Sequence, residues 1–559
     1  MGQKPSNNIF AGGKIAGYFV LLLAVLIVIF GSSFRNPPRS DWWSALYAFH
    51  LVDASSGPPG FSFIINHDPW RDGTFRPLAH PLLYLEHRLF GDGFLAYHLV
   101  NLAAYFLCVI LLYLLGRRLG IASGALAIFL ALFALLFTHF DILTWTFHLS
   151  IPLGFSAFLG GLILYLRYLE DGDKLLLLPG GFLFLFALLC LELYILWPLG
   201  LLVLSNKRPD GRRLTTIMMI TAVYAGYLLV FLLTRTASHT SGSISVPAFG
   251  DIFISLSAVF FNLIYNGLLV NLVPILALPL RITQNVEMAG PAAALSPGHL
   301  RTIVAAVGTV SMALIAAGLI SPAIRRKTPA GLGMLFFFYV SGFFILALGR
   351  TTTANFPDLF HQFRYQYIPN AWLVLMGALL VDRLVRSRRR RRTINLLLIL
   401  VIVFNVVAVR RAIKVIDNEL APLKILLGRI SRGIETGEIT PERPLAIPDG
   451  ITYYLPSLCW NEDMGRFFRG TYQWIYSRRE IYCFTPFIGD AAWLVDGETL
   501  FYRPKDRKDP PVLSRRIIEP RFRDRAGCLD PGGPAPASGI FISGLRTPNT
   551  GAGYFGRQD

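Results

Sequence analysis

Asp41 and Asp141 are carboxylates set in otherwise aromatic or apolar surroundings, and Arg350 and Arg364 are arginines that border apolar runs. A carboxylate can take a proton from a hydroxyl. A guanidinium can hold a phosphate through two parallel hydrogen bonds. Three polar groups surround these residues. The first holds Asp41-Trp42-Trp43, His67-Asp68-Pro69-Trp70-Arg71-Asp72 and Phe75-Arg76-Pro77-Leu78-Ala79-His80. The second is Thr138-His139-Phe140-Asp141. The third is Arg350 with Phe363-Arg364-Tyr365-Gln366-Tyr367. Glu192 stands apart, inside a long apolar run, where an acid is costly and usually functional. The ten histidines and five cysteines show no metal-ligand spacing.

The elements that position these residues follow from composition. The 559 residues are 54% hydrophobic and only 15% charged, against about 25% charged in ordinary soluble domains. That excludes a soluble enzyme of the usual kind, and recurrent apolar runs exclude a disordered chain. The excess of 52 basic over 34 acidic groups, +18, reads as a topological signal rather than a nucleic-acid footprint. The chain is an α-helical polytopic membrane protein.

Spanning helices of about 20 residues are expected near 15–31, 94–115, 121–138, 145–166, 214–233, 301–320, 333–349, 365–382 and 394–410. The apolar run 175–204 is too long for one span and is expected to cross twice, with Glu192 at the outer bend. With the N-terminus in the cytoplasm, Arg117–Arg118, Arg167/Lys174, Lys207–Arg213, Arg325–Lys327 and the seven arginines of 383–392 all fall inside. About 11 transmembrane helices result, with the C-terminus outside. The run 251–280, interrupted by Asn262, Asn266, Asn271 and Pro274, reads as an interfacial helical pair or as two more spans.

The expected organisation is a transmembrane domain over 1–410, with a first outer loop at 32–93, and an extracytoplasmic domain over 411–559. That tail reads as a small mixed α/β or β-rich domain, with apolar runs such as Leu445–Pro448 and Ala491–Val495 between turn signals. A loop of some sixty residues rich in Trp, Phe and Pro is more than a connector. Its stretch Tyr84–Leu89 reads as amphipathic and lying on the membrane surface. The three polar groups then meet on one outer face near the lipid. That combination suits transfer from a lipid-linked phosphate.

Each residue also has a structural reading. Asp41 could cap the helix that Trp42 begins, and Asp141 could cap the fourth span. Asp68 and Asp72 flank Pro and Gly as turn residues do, and Arg76 could tie down its loop. His67, His80 and His139 read as structural hydrogen-bonders.

The order of motifs resembles a GT-C glycosyltransferase, the membrane class that includes protein O-mannosyltransferases and the lipid A aminoarabinose transferase. In the O-mannosyltransferases with tetratricopeptide repeats, an acidic pair follows the first helix. An Asn-Asp-Phe-Trp stretch, Tyr-Arg-Pro-Leu and His-Leu-Val-Asn come next. The similar residues here are Ser40-Asp41, Asn66–Trp70, Phe75-Arg76-Pro77-Leu78 and His98–Asn101. The family's later His-x-x-x-Glu, Lys-Glu and Arg-Tyr-x-Tyr-x-Pro elements are similar to His139-Phe140-Asp141, Leu191-Glu192 and Arg364–Pro369. The resemblance covers about 15–370. Only one acid stands where the pair is common, no lysine precedes Glu192, and no tetratricopeptide tail follows.

The resemblance implies inverting transfer of a sugar from a polyprenyl-phosphate donor to the hydroxyl of a glycan, lipid or protein acceptor. The expected place is the outer side of a bacterial inner membrane. It implies Asp41 as general base and Asp141 as a second acid orienting the acceptor or a divalent cation. Arg364 and Arg350, with Arg76, Glu192 and Tyr365, would bind the donor, and Asp68, Asp72, His67, His80 and His139 would serve the acceptor or support the site. No other cofactor and no nucleic acid are expected. A secondary transporter and a non-catalytic scaffold for envelope assembly are the alternatives, but no repeated halves are visible in the sequence.

Overall fold

The computed structural model describes residues 13–37, 76–91, 93–205, 211–234, 248–274, 297–320, 331–350, 356–385, 387–436, 445–448, 482–485, 491–496 and 499–504. The chain divides into two compact units, one of residues 1–35 and 52–416, the other of residues 36–51 and 417–559.

The first unit is helical. Among the described residues, eight helices are long and apolar enough to cross a membrane, nine if one bent pair counts as a span. They include α1 (Gly13–Phe30), α3 (Phe94–Arg118), α6 (Ser150–Asp171), α9 (Arg212–Thr234), α10 (Phe249–Asn262), α11 (Pro297–Ile320), α14 (Tyr367–Leu384) and α15 (Arg388–Glu435). The bent pair is α4 (Ser123–Leu135) with the turn and short helix α5 (Phe140–Thr144), angled by 55°. Shorter apolar helices are α7 (Leu177–Cys190), α8 (Trp197–Ser205) and α12 (Leu332–Leu348). The amphipathic α2 (Ala79–Phe90) buries Pro81, Leu83, Glu86 and His87 and exposes Leu85 and Leu89.

Three expectations can be set against the structure. The run 175–204 does divide into two helices, because Leu191 adopts an extended conformation and a 3-10 turn, Glu192–Tyr194, follows it. The stretch 251–280 departs from both of its readings. One helix occupies Phe249–Val270, its last part π-helical from Leu263, and by length and composition it is one candidate span. The span expected at 394–410 runs on as α15 to Glu435, since Ile413, Ile416 and Leu420 keep the helical period of apolar residues.

Helices in lipid associate by close packing rather than by escape from water. An aromatic cluster supplies that packing here. Trp197 of α8 lies 5.2 Å from Trp372 of α14 and 4.3 Å from Phe158 of α6, and Phe338 of α12 lies 5.1 Å from Trp372. Gly342 leaves room for the Trp197 ring, and Gly308 lets α11 approach the Ser257 carbonyl of α10. Val20, Val28, Leu228, Leu233, Leu314 and Val407 remain exposed, as lipid-facing residues would.

Polar contacts mark the two ends of the bundle. At one, Arg383 donates to Gly120 O, Arg391 pairs with Asp382 at 2.6 Å, Arg118 pairs with Glu170 at 2.6 Å, and Arg212 donates to Leu169 O. The other end carries the acid-and-arginine turns described below.

The described part of the second unit contains four short strands. β1 (Leu445–Pro448) pairs in parallel with β2 (Tyr482–Thr485), and β3 (Ala491–Asp496) pairs antiparallel with β4 (Thr499–Pro504). Both apolar runs singled out in the tail are therefore strands.

Candidate active site

The turn between α4 and α5 carries Asp141. Leu136 is extended, so the helix breaks and the Phe137 amide loses its helical partner. The Asn405 carboxamide of α15 accepts that amide at 2.8 Å, and Asn101 donates to Ile142 O at 2.5 Å. These side chains do for the broken backbone what water does outside a membrane. Asp141 lies in the first turn of α5 and is buried. The helix of the fourth span, α6, has Leu149 as its N-cap, so Asp141 does not cap it.

A second irregular segment, Phe356–Gln366, carries Arg364 and Tyr365. It holds a short helix α13 (Asp358–His361) and a 3-10 turn, Phe363–Gln366. Phe363 packs on Phe137 at 5.3 Å and Phe140 at 6.4 Å, which brings the turns of Arg364 and Asp141 together.

Arg350 and Arg364 converge on one phenol. Arg350 donates to the Tyr365 hydroxyl and lies 4.7 Å from that ring. Arg364 reaches the same hydroxyl at 3.4 Å, donates to Gln362 Oε1, and stacks 4.7 Å over Trp145. The two arginines are only 8% and 7% exposed. Two guanidiniums gathered around one oxygen, with water largely excluded, would attract an anion strongly, since charge interactions strengthen as the dielectric falls. Stacking on an aromatic face holds the planar fork in one orientation.

Arg76 and Glu192 form a two-point ion pair. Nε lies 2.6 Å from Oε2 and Nη2 lies 2.5 Å from Oε1. The pair is part-exposed, at 26% and 30% of the side chains. Leu78 N donates to Leu189 O at 3.1 Å, so the start of α2 is fastened to the bend between α7 and α8. His80 follows in α2 and meets Phe147 edge-on at 6.2 Å, and Phe147 lies 6.5 Å from Trp145. Its ring is therefore connected through Phe147 to Trp145, on which Arg364 stacks.

His139 is fully buried behind the Asp141 turn. Its Nδ1 lies 2.9 Å from the Tyr105 hydroxyl and its Nε2 accepts from Asn370 Nδ2 at 3.2 Å. With Nε2 accepting, the proton sits on Nδ1, and the ring is a neutral structural link.

Arg350, Arg364 and Tyr365 thus lie together beside the Asp141 turn, and Arg76 and Glu192 form a separate pair at the start of α2, from which His80 reaches Phe147. Asp41, His67, Asp68 and Asp72 lie outside the described residues. No group of three His, Cys, Asp or Glu that could hold a metal ion occurs among the described residues.

Two features escaped the sequence reading. Trp145 gave no signal, because a tryptophan within an apolar run reads as core. Asn262, Asn266 and Asn271 do give one, three amides in an apolar stretch, but in sequence they look like interruptions of a span rather than partners of the site.

The fold and site define a polytopic helical membrane protein with a cationic, aromatic-lined centre at one end. No family profile and no curated protein matches the chain. Among solved structures it is similar to ArnT from Cupriavidus metallidurans bound to undecaprenyl phosphate, at 15% identity and TM-score 0.35, over 84% of this chain and 90% of that one. The same enzyme in the apo state aligns at 12% identity and TM-score 0.36, over 84% and 86% of the two chains. An oligosaccharyltransferase from Archaeoglobus fulgidus, in a complex with Zn and sulfate, aligns at 15% identity and TM-score 0.37. That alignment takes in 71% of this chain and spans about half, 53%, of that protein. What the site does is read below from this chain's own side chains.

Proposed function

We propose that the protein is an inverting glycosyltransferase that moves a sugar from a polyprenyl-phosphate carrier to an acceptor hydroxyl. The observation that carries this reading is the convergence of Arg350 and Arg364 on Tyr365, over Trp145 and beside the Asp141 turn. In the reaction, the acceptor oxygen attacks the anomeric carbon and its proton passes to a carboxylate. The bond from that carbon to the phosphate oxygen breaks, and the polyprenyl phosphate departs with the electron pair. Arg364 and Arg350 stabilise the negative charge that grows on the leaving phosphate. Asp41 is the base, and Asp141 orients the acceptor.

The site faces the extracytoplasmic side in this reading, and the arginine-rich end faces the cytoplasm. The gathering of Arg118, Arg212, Arg383 and Arg391 at the opposite end of the bundle supports that orientation. Arg301 of α11 lies 5.6 Å over the Phe356 ring, which sets the start of α11 beside the site segment.

Binding of undecaprenyl phosphate to the full-length protein in phosphatidylcholine nanodiscs tests the reading. Saturable binding that weakens on Arg364→Ala is expected, with undecaprenol, which lacks the phosphate, binding far less. Equal binding of the two lipids would overturn it.

A further inference from the structure

An α-helix turns once in about 3.6 residues, so Asn262 and Asn271 would lie about two and a half turns apart, on opposite sides. In α10 they do not. From Leu263 to Val270 the backbone is π-helical, and the i to i+5 bonding of such a segment spends more residues on each turn. Asn262, Asn266 and Asn271 are consequently all buried toward the same pair of irregular segments.

Their bonds divide between those segments. Asn262 Nδ2 donates to Gln366 Oε1 at 2.9 Å, and Gln366 Nε2 donates to Leu359 O at 3.0 Å. Asn266 Nδ2 donates to Asn262 Oδ1 at 2.8 Å and to Phe360 O at 3.4 Å. Both asparagines therefore hold the segment that carries Arg364. One turn further on, Asn271 Nδ2 donates to Asn370 Oδ1 at 2.9 Å, and Asn271 Oδ1 accepts from Thr138 Oγ1 at 3.0 Å. Asn370 Nδ2 donates in turn to Thr138 Oγ1 at 2.9 Å and to His139 Nε2. Asn405 joins Asn271 O to the Phe137 amide. The third asparagine thus holds the turn that carries Asp141.

We propose that the π-helical part of α10 fixes the separation between the phosphate-holding arginines and the Asp141 turn, with Asn262, Asn266 and Asn271 as positioning residues. The inference rests on the functional reading above. Two observations argue that the arrangement serves geometry rather than stability. Asn266 Oδ1 is buried without a hydrogen-bond partner, a penalty the fold retains. The π turn also gives up regular α bonding in order to face all three amides one way, and such turns recur at functional sites.

The test is a double-mutant cycle in undecaprenyl phosphate binding, measured on full-length protein in nanodiscs. Asn266→Ala should weaken binding about three- to tenfold in the wild-type background, the range of coupled neighbours. In an Arg364→Ala background the same change should have little further effect, because the asparagine acts through that arginine. Asn266→Ser, which keeps a donor, should recover part of the affinity and stands in should the alanine variant not fold. A loss of equal size in both backgrounds would show a merely structural role and overturn the proposal. Unchanged affinity in Asn266→Ala would overturn it too. Failure of the wild type to prefer the phosphate over undecaprenol would remove the functional reading itself, and this inference with it.

Discussion

Arg76 grips Glu192 through both of its carboxylate oxygens, at 2.6 and 2.5 Å, and so ties the start of α2 to the bend between α7 and α8. Glu192 is the acid that stood out inside an apolar run, and its partner lies 116 residues away. The two were expected to serve the donor. In the structure each also neutralises the other, which lets an acid sit at the edge of the apolar bundle without an isolated charge.

That pairing predicts a recoverable defect. Arg76→Ala should remove both hydrogen bonds of the ion pair to Glu192 and lower thermal stability, by an amount reduced by the partial exposure of the pair. Glu192→Gln in the same protein should restore part of it, because a neutral amide loses less than a carboxylate when the guanidinium is gone. Differential scanning fluorimetry in detergent checks both. No loss on Arg76→Ala would mean that the pair contributes nothing to holding α2.

Arg364 supplies the second prediction. A guanidinium stacked on Trp145 presents a planar fork, and an ammonium on a flexible stem cannot reproduce it. Arg364→Ala should weaken undecaprenyl phosphate binding about tenfold or more, in line with about 1.5–3 kcal/mol for a hydrogen bond to a charged group. Arg364→Lys should recover only part. Trp145→Leu should weaken binding in the same direction through loss of the stack, worth about 0.5–2 kcal/mol. Full recovery by lysine would show that charge alone is read.

How far the site was legible depended on the kind of residue. Glu192 and the break beside it could be found because an acid in a long apolar run breaks a strong pattern. Arg364 and Asp141 could be marked as chemistry, since charges bordering spans are few. Their approach could not be read, because it depends on Phe363 packing against Phe137 and Phe140, three aromatics that look like any others in an apolar chain. The asparagines of α10 illustrate the opposite error. Their polarity was visible, but a π turn leaves no sequence mark that reveals which way the amides face. The extension of α15 is not legible from an apolar run alone, because Arg410, Arg411 and Lys414 end the run while the helical period of apolar residues continues.

Glu86 predicts a pH dependence. It is 5% exposed on α2, outside the candidate spans, and neither carboxylate oxygen has a hydrogen-bond partner. Burial pushes its carboxyl up to about 8 from an ordinary 4.5. The native protein therefore keeps a proton that the unfolded chain gives up. Stability should fall as pH rises from about 4.5 to about 8 and level off above that. Glu86→Gln should remove this part of the slope and raise the unfolding temperature most at pH 8 and above. A slope unchanged by the substitution would assign it to other groups.

Orientation can be tested with single cysteines in intact cells and a membrane-impermeant thiol reagent, after all five native cysteines, Cys108, Cys190, Cys459, Cys483 and Cys528, are replaced by alanine. Cysteines at Ser387 and Asn418 should differ. The first, beside the arginine run, should be protected in intact cells, and the second should react from outside. Reaction of both from one side would break the proposed topology.

The last prediction concerns the base. An alcohol is a poor nucleophile at neutral pH, so a positioned carboxylate should accelerate transfer by about 10²–10⁴-fold. Asp41→Asn keeps size and hydrogen bonding but removes the basic charge. Turnover of a polyprenyl-phosphate sugar in membranes should fall by that order while undecaprenyl phosphate affinity stays near the wild-type value. Asp141→Asn should cost less turnover and raise the acceptor concentration needed, because in this reading it orients the acceptor and does not take the proton. The Asp41 effect should also shrink as pH rises, since a more basic medium ionises a larger share of the acceptor and makes the enzyme's base less necessary. If Asp41→Asn turns over normally while Asp141→Asn is inactive, the two roles are exchanged. The base would then be the carboxylate one turn from Trp145, on which Arg364 stacks, and proton removal and leaving-group stabilisation would come from adjoining turns.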